Sequence, residues 1–296
     1  MQKFSLGAYF KIIRPTNSIM VGIAVIIGVI LTSLNTVLSW KTLYGFLTGF
    51  FISSFSMVVN DIYDIEVDRI NQLKRPLVTG KIKISEAWTY ALTLLSLGII
   101  FSLITSLTCF FIAVLFGFIS WLYNFYLKKQ GIVGNLTVAL STSIPYIYGS
   151  VVSFAVVPII QNTVFLGTPP LLLWFVIVSF LAVTGREVIK TISDKEGDRI
   201  RGIKSITHSI REKNSARVGA ALFVSAVLCT LGPYISKQAG TYYLAMVMIP
   251  DAFFIYLSYS ILKDYSNINV RRVKKLALMG MLLGFIAFIV EKTVIS

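Results

Sequence analysis

Charged residues are scarce in this chain, and their scarcity limits the class of protein it can be. Only 14% of its 296 residues are charged and 56% are hydrophobic, with a mean hydropathy of +0.79. A soluble domain carries roughly 25% charged residues, so this chain has too few to cover a water-facing surface. The 27 Lys and Arg exceed the 13 Asp and Glu. We assign that excess to membrane loops and expect no nucleic-acid partner.

Cysteine and histidine are also scarce. The chain contains two cysteines, Cys109 and Cys229, and one histidine, His208. These three residues are too few for a disulfide framework or for a Cys/His zinc site. Any metal that the chain binds should therefore be a hard cation held by oxygen ligands.

Long apolar segments, by contrast, are abundant. A helix that spans a bilayer needs about 20 mostly apolar residues. Nine segments meet this requirement: 17–39, 42–60, 87–105, 107–127, 132–154, 170–190, 215–235, 241–262 and 273–294. The pattern predicts an all-α, polytopic membrane protein with a single domain over 1–296. Residues 1–16 are expected to form an interfacial helix rather than a signal peptide.

The basic residues predict the orientation in the membrane. If the N-terminus is inside, every Lys and Arg except Lys41, Lys237 and Lys292 lies on the inner side. Cytoplasmic loops carry such an excess, and one miscounted helix would reverse every later loop. We therefore predict a multi-pass protein of the cell membrane with its N-terminus inside and its C-terminus outside.

The carboxylates are concentrated in two similar motifs. The segment DIEVDRI at 64–70 follows span two, and DKEGDRI at 194–200 follows span six. Because four spans separate them, both motifs should face the same side of the membrane. This spacing predicts two four-helix repeats, 17–127 and 132–262, with a ninth helix added.

The spacing of the aspartates predicts a cation site. On a helix, Asp61, Asp64 and Asp68 share one face, as do Asp194 and Asp198. Carboxylates so close together repel one another unless a cation lies between them. Mg²⁺ fits, since proteins hold it with one or two carboxylates plus substrate phosphates. Basic residues of the same loops suit anionic oxygens, so we expect a phosphorylated or diphosphate substrate with an apolar tail.

The first motif also resembles a known family. NDIYDIEVDR at 60–69, followed by KRP at 74–76, resembles the NDxxDxxxD signature of the UbiA superfamily of intramembrane prenyltransferases. DKEGD at 194–198 resembles the second, DxxxD motif of that family. The resemblance implies nine helices around a central cavity, with both Asp-rich loops on the cytoplasmic side. It also implies Mg²⁺-dependent transfer of a prenyl group from a diphosphate donor to a lipid-like acceptor.

The resemblance assigns roles by motif position. The residues expected to hold metal are Asn60, Asp61, Asp64, Asp68, Asp194 and Asp198, of which Asp64, Asp68, Asp194 and Asp198 are expected to be catalytic. The residues expected to bind substrate are Arg14, Asn17, Asn60, Arg69, Lys74, Arg75, Tyr123, Lys128, Arg186 and Lys190. The family often has Tyr-x-x-x-Lys after the fourth span, whereas Tyr123 and Lys128 are five residues apart. The π faces of five tyrosines are candidates for stabilising an allylic carbocation: Tyr63, Tyr123, Tyr126, Tyr146 and Tyr148.

The segment GREVIKTISDKEGD at 185–198 bears on the acceptor. It resembles the branch of the family that makes archaeal ether lipids. That resemblance implies transfer of a geranylgeranyl group to the hydroxyl of geranylgeranylglyceryl phosphate. An aromatic acceptor such as 4-hydroxybenzoate is the alternative. Arg186 and Lys190 either bind an acceptor phosphate or reflect the positive-inside bias. Membrane lipids are the expected surroundings, and no obligate protein partner is expected.

Two other classes of membrane protein fit less well. A CDP-alcohol phosphatidyltransferase needs an Asp-Gly-x-x-Ala-Arg segment, which this sequence lacks. A cation transporter would place several acids near the middle of the bilayer. Only Asp251 is a plausible mid-span charge, and it follows Pro250, where we expect a break in the helix.

Overall fold

A computed structural model describes residues 6–70, 72–157, 169–200 and 206–294, without the side chains of 194–200 and 206–210. The described chain is helical, with 3₁₀ turns at Leu34–Thr36 and Leu127–Lys129. Its helices are α1 (Leu6–Ile12), α2 (Pro15–Thr32), α3 (Trp40–Tyr63), α4 (Ile65–Ile70), α5 (Ile84–Thr105), α6 (Leu107–Phe125), α7 (Ile132–Val156), α8 (Pro170–Ile200), α9 (Ile206–Thr230), α10 (Gly232–Ile235), α11 (Thr241–Lys263) and α12 (Asn267–Val294).

The described residues contain nine helical segments that are long and apolar enough to cross a membrane. They are α2, α3, α5, α6, α7, the segments Pro170–Ser193 and Arg211–Ile235, α11 and α12. This confirms the predicted all-α architecture with nine spans. Ser106 separates the third and fourth spans, since its backbone is extended and its hydroxyl accepts a hydrogen bond from the Cys109 amide at 3.2 Å.

The first span ends earlier than the sequence predicts. The expected segment was 17–39, but α2 ends at Thr32. Polar side chains of the following residues turn the chain instead, because they compete for backbone hydrogen bonds. The Thr36 hydroxyl donates to the Ser33 carbonyl at 2.8 Å, and the Ser39 hydroxyl caps the next helix. Because this stretch also contains apolar residues, hydropathy alone does not predict the turn.

Glycines let the first and fifth spans cross closely. A Cβ at Gly28 would lie 2.0 Å from the Tyr146 carbonyl oxygen, and one at Gly149 would lie 2.1 Å from the Val25 carbonyl oxygen. Small residues at such crossings allow two helix backbones to approach within the membrane. The crossing of α2 and α7 therefore ties the first half of the chain to the second.

The packing of neighbouring helices is similar in the two halves. The most extensive packing in the described chain joins α3 to α5, and α8 to α9. These pairs are spans two and three and spans six and seven, which occupy equivalent places in the proposed repeats. The repeat itself stays a prediction.

The helices bring the loops together at two ends. At the end where α3 finishes, the Lys11 ammonium donates to the Lys74 carbonyl at 3.3 Å. At the end where α3 begins, the Lys41 ammonium donates to the Ala155 carbonyl at 2.6 Å. Lys41 is thus separated from the loops that the charge distribution assigns to the inner side. Which end faces the cytoplasm stays a prediction.

The predicted helix break at Asp251 does not occur. Helix α11 continues through Pro250, because a transmembrane helix tolerates proline where neighbouring groups satisfy the backbone. The Asp251 carboxylate accepts a hydrogen bond from the Thr230 hydroxyl at 2.7 Å. Asp251 therefore links α11 to α9.

Candidate active site

The first acidic motif lies at the end of span two, and it is bent. We expected one helical face through Asp68, but α3 ends at Tyr63, Asp64 caps it, and α4 begins at Ile65. The Asp64 amide still donates to the Asn60 carbonyl at 3.0 Å, so the bend is slight. The Asp68 amide likewise donates to the Asp64 carbonyl at 2.8 Å, so the helical spacing is kept across the break, and the shared face stays a prediction.

Asp61 is the centre of the site. Only 3% of its surface is exposed, and its Oδ1 accepts hydrogen bonds from the guanidinium groups of Arg14 and Arg75. Arg14 lies at the bend between α1 and α2 with φ of 46°, a left-handed conformation that is uncommon outside glycine. Pro15 then begins α2, so the bend directs Arg14 from the first span to the second.

Arg75 joins two of the aspartates. Besides Asp61, its Nε lies 3.0 Å from Asp68 Oδ2. The loop that carries Arg75 is anchored by Leu77 and Ile82, which are buried in one apolar cluster with residues of α1, α3 and α5. Burial of these two side chains fixes the loop and places the guanidinium between the carboxylates.

Asp68 retains capacity for a further partner. It is 3% exposed, and its Oδ2 has no hydrogen bond within the described residues, since the contact with Arg75 Nε lacks hydrogen-bonding geometry. Burial raises the pKa of Asp68, the nearby carboxylates of Asp64 and Asp61 add to this, and Arg75 acts in the opposite direction. A cation beside Oδ2 would offset the burial of this carboxylate.

The donor set fits Mg²⁺ that is held together with a diphosphate. Asp61, Asp64, Asp68 and the Asn60 amide offer hard oxygen ligands. Within the described residues, no three His, Cys, Asp or Glu side chains are arranged to hold a metal by themselves. Mg²⁺ does not require such a cage, because substrate phosphates and waters complete its coordination.

The fourth span contributes two further contacts to the site. Lys128, in the 3₁₀ turn after α6, forms an ion pair with Asp64. The Asn60 side-chain amide donates to Asn124 Oδ1 at 2.9 Å. Lys128 is among the residues predicted from the sequence, whereas Asn124 is not. A polar residue beside Tyr123 in an apolar span was the available signal.

A largely apolar cavity of about 260 Å³ lies between α2, α3, α6 and α7. Tyr123 and Ser120 line it on α6, and Tyr148 and Thr48 line it on other helices. Asn124, which contacts Asn60, directly follows Tyr123 on α6, so the cavity lies beside the acidic motif. Of the five candidate tyrosines, Tyr123 and Tyr148 line the cavity. Tyr63 and Tyr126 are exposed, and Tyr146 packs edge-on against Phe175.

Several predicted substrate-binding residues are exposed. Asn17, Arg69 and Lys74 form no side-chain hydrogen bond or ion pair with the described residues, although Arg69 and Lys74 belong to the same loop as the site. Arg186 and Lys190 both form ion pairs with the buried Glu187, at 2.7 and 2.8 Å. Glu187 was not among the predicted site residues.

The second motif is described only in its backbone. Helix α8 continues to Ile200, so Asp194 and Asp198 lie on a helical backbone, as their spacing predicts. Their side chains lie outside the described residues, and their predicted roles stay predictions.

The fold and the motif agree with the family that the sequence resembles. The model of the UbiA prenyltransferase family matches residues 21–288. The chain therefore belongs to the UbiA prenyltransferase family, and it is a multi-pass membrane enzyme that transfers prenyl groups.

Within this family, several named relatives are similar to the chain along nearly its whole length. The digeranylgeranylglyceryl phosphate synthase of Methanocaldococcus jannaschii is 34% identical over 285 residues, which cover 96% of each chain. That of Archaeoglobus fulgidus is 28% identical, over 96% of this chain and 94% of the relative. A solved structure of a digeranylgeranylglyceryl phosphate synthase is 32% identical, with a TM-score of 0.82 over 97% of this chain and 98% of that one.

A more distant structure shares the fold. A UbiA homologue from Archaeoglobus fulgidus, solved with DMAPP and Mg²⁺, is 18% identical. It has a TM-score of 0.66, over 95% of this chain and 99% of the homologue. At this identity the likeness supports the fold alone.

Proposed function

We propose that this enzyme transfers a geranylgeranyl group from its diphosphate to the hydroxyl of geranylgeranylglyceryl phosphate, with Mg²⁺ as cofactor. The observation that carries the proposal is a cluster of carboxylates and basic residues beside an apolar cavity. Such a pairing suits a substrate with an anionic head and a long apolar tail. The named relatives support the choice of acceptor, because they are digeranylgeranylglyceryl phosphate synthases that match along nearly the whole chain.

The acidic motif would hold the diphosphate head of the donor. Asn60, Asp61, Asp64 and Asp68 would hold Mg²⁺, together with Asp194 and Asp198 of the second motif. When bound, Mg²⁺ supplies positive charge against the negative charge that develops on the departing diphosphate. Arg14, Arg75 and Lys128 add fixed positive charge at the same place.

The cavity would hold the prenyl chain and exclude water. The bond between the allylic carbon and the diphosphate oxygen breaks, and the acceptor hydroxyl oxygen bonds to that carbon with loss of its proton. An apolar chamber protects the electron-deficient carbon from hydrolysis. The ring faces of Tyr123 and Tyr148 are suited to stabilise its positive charge.

Arg186 and Lys190 are the proposed partners of the acceptor phosphate. Glu187 holds both side chains through ion pairs. Together, Arg186, Glu187 and Lys190 carry a net charge of +1, so they attract an anion. The two ion pairs also restrain the basic side chains before an anion binds. An aromatic acceptor such as 4-hydroxybenzoate has no phosphate for this cluster to bind.

The site would face the cytoplasm. The loops that contact one another at the end of α3 contain much of the basic excess, whereas Lys41 lies at the opposite end. Positive-inside orientation then places the N-terminus and the acidic motif on the cytoplasmic side.

A competition assay tests the proposed function. Purified enzyme is given Mg²⁺ and geranylgeranyl diphosphate, with geranylgeranylglyceryl phosphate and 4-hydroxybenzoate present together. We expect a diether phosphate product that disappears when EDTA replaces Mg²⁺. Prenylation of the aromatic compound alone would overturn the acceptor assignment, and full turnover in EDTA would overturn the metal requirement.

A further inference from the structure

A chain of side-chain amides connects the fourth span to the acidic motif. Asn124 of α6 is 5% exposed, and its Nδ2 donates to the Ser120 carbonyl at 2.9 Å. Its Oδ1 accepts from Asn60 Nδ2, also at 2.9 Å. On the other side, Asn60 Oδ1 accepts from the Arg14 guanidinium at 3.3 Å. Each amide therefore uses its nitrogen and its oxygen on different neighbours.

Only one orientation of the two side-chain amides satisfies these hydrogen bonds. The Ser120 carbonyl can only accept, so the nitrogen of Asn124 must face it and the oxygen must face Asn60. Asn60 must then present its nitrogen to Asn124. Its oxygen is left to point toward Arg14 and Asp61, the side on which a cation would bind. Rotating Asn60 by 180° would place two oxygens against each other and its NH₂ against a guanidinium.

We infer that Asn124 is a positioning residue, which sets the amide of Asn60 so that an oxygen rather than an NH₂ group faces the Mg²⁺–diphosphate site. The inference rests on the proposed function, in which Asn60 offers an oxygen to the metal. Among the described residues, the Asn124 side chain forms hydrogen bonds with Asn60 and with the Ser120 carbonyl, so it acts on the site through Asn60. Residues that orient metal ligands in this way typically change metal affinity or activity by about 10- to 100-fold when they are replaced.

A simple packing role for Asn124 makes a different prediction. If the hydrogen bond only joins α3 to α6, its loss should lower Tm and leave Mg²⁺-dependent donor binding unchanged. Asn60→Asp tests the orientation separately, because it removes the N–H donor to Asn124 while its carboxylate presents an oxygen to the site in either orientation. In that background the orientation of residue 60 no longer needs Asn124, so a positioning role predicts strong coupling between the two substitutions.

The experiment uses the full-length enzyme in detergent with Asn124→Leu, Asn60→Asp and the double variant. The measurement is Mg²⁺-dependent binding of geranylgeranyl diphosphate, followed by tryptophan fluorescence, with Tm recorded for each protein. We expect Asn124→Leu to weaken binding by at least about tenfold in the native background. In the Asn60→Asp background it should change binding by less than about twofold.

Two control variants separate a loss of stability from a loss of donor binding. Asn269→Leu removes another buried asparagine, which bonds to Ser260 and to the Asp264 carbonyl. It should lower Tm and leave binding unchanged. Asn124→Ala provides a smaller replacement if the leucine variant does not fold. Equal losses from the Asn124 substitution in both backgrounds would overturn the positioning role.

Asn60→Leu distinguishes this inference from the proposed function. If Asn60→Leu abolishes Mg²⁺-dependent binding and both Asn124 variants bind normally, the positioning role is wrong and the proposed site stands. If Asn60→Leu leaves Mg²⁺-dependent binding intact, Asn60 is not a ligand, and its role in the proposed site and the inference built on it both fail.

Discussion

Replacing Arg75 by methionine should make the stability of this enzyme depend on Mg²⁺. The Arg75 guanidinium contacts both Asp61 and Asp68, whose side chains are 3% and 5% exposed. Methionine keeps most of the volume of the side chain and removes its charge. Asp61 would retain Arg14, whereas Asp68 would lose its one ion pair among the described residues and keep only the longer-range attraction of Arg14.

The expected cost follows from the burial of the two carboxylates. Removing one partner of a buried ion pair costs about 3–5 kcal/mol. Arg75 is itself 26% exposed, so solvent screening reduces the cost, and we expect about 2–3 kcal/mol. At roughly 2–4 °C per kcal/mol, Tm in EDTA should fall by about 5–10 °C. Mg²⁺ should restore much of that loss, because it can neutralise Asp68 in place of the guanidinium.

Thermal unfolding in detergent, with EDTA or with millimolar Mg²⁺, measures both effects. Arg69→Met is the matched control for Tm, since Arg69 is exposed and forms no ion pair with the described residues. Its Tm should equal that of the native enzyme in both buffers. An Arg75→Met variant with native Tm in EDTA would refute the bridging role. A large Tm loss that Mg²⁺ leaves unchanged would show that no cation binds at Asp68 in the absence of a diphosphate.

Three further predictions address the fold and the two substrates. Gly149→Ala should lower Tm by several degrees because its Cβ would meet the α2 backbone at 2.1 Å, whereas Gly284→Ala, whose Cβ would lie 3.9 Å from Pro250 Cβ, should not. Lys128→Met should raise the donor KM about tenfold, since a charged hydrogen-bonding partner is lost, and an unchanged donor KM would contradict this. Lys190→Met should raise the KM of the phosphorylated acceptor alone, and a matching rise for the donor would move Lys190 to the diphosphate.

The number of spans could be predicted because it depends on length and hydropathy, which are local properties of the sequence. The ends of the helices could not be predicted as well. The first span ends at Thr32 because hydroxyl groups of Thr36 and Ser39 form local hydrogen bonds. The bend at Asp64 could not be predicted either, since the spacing of aspartates alone does not show where a helix ends.

The members of the site were predictable, whereas their pairing was not. Arg14 and Lys128 are 47 and 64 residues away from the aspartates that they contact. Their basic character and their place beside a span indicated a role, but only the packing of α2, α3 and α6 selects the partner of each. Asn124 was missed because a single asparagine in an apolar span could serve any hydrogen bond between two helices. Its role at the site depends on the group that its amide faces, which the sequence does not show.

Turnover by Asp68→Ala tests the central claim most directly. The purified variant and the native enzyme are given Mg²⁺, geranylgeranyl diphosphate and geranylgeranylglyceryl phosphate, and the diether product is quantified by mass spectrometry. We predict product from the native enzyme and none from Asp68→Ala that has folded, as shown by a cooperative thermal transition. Near-native product formation by Asp68→Ala would contradict the account, because it would remove this motif from the active site.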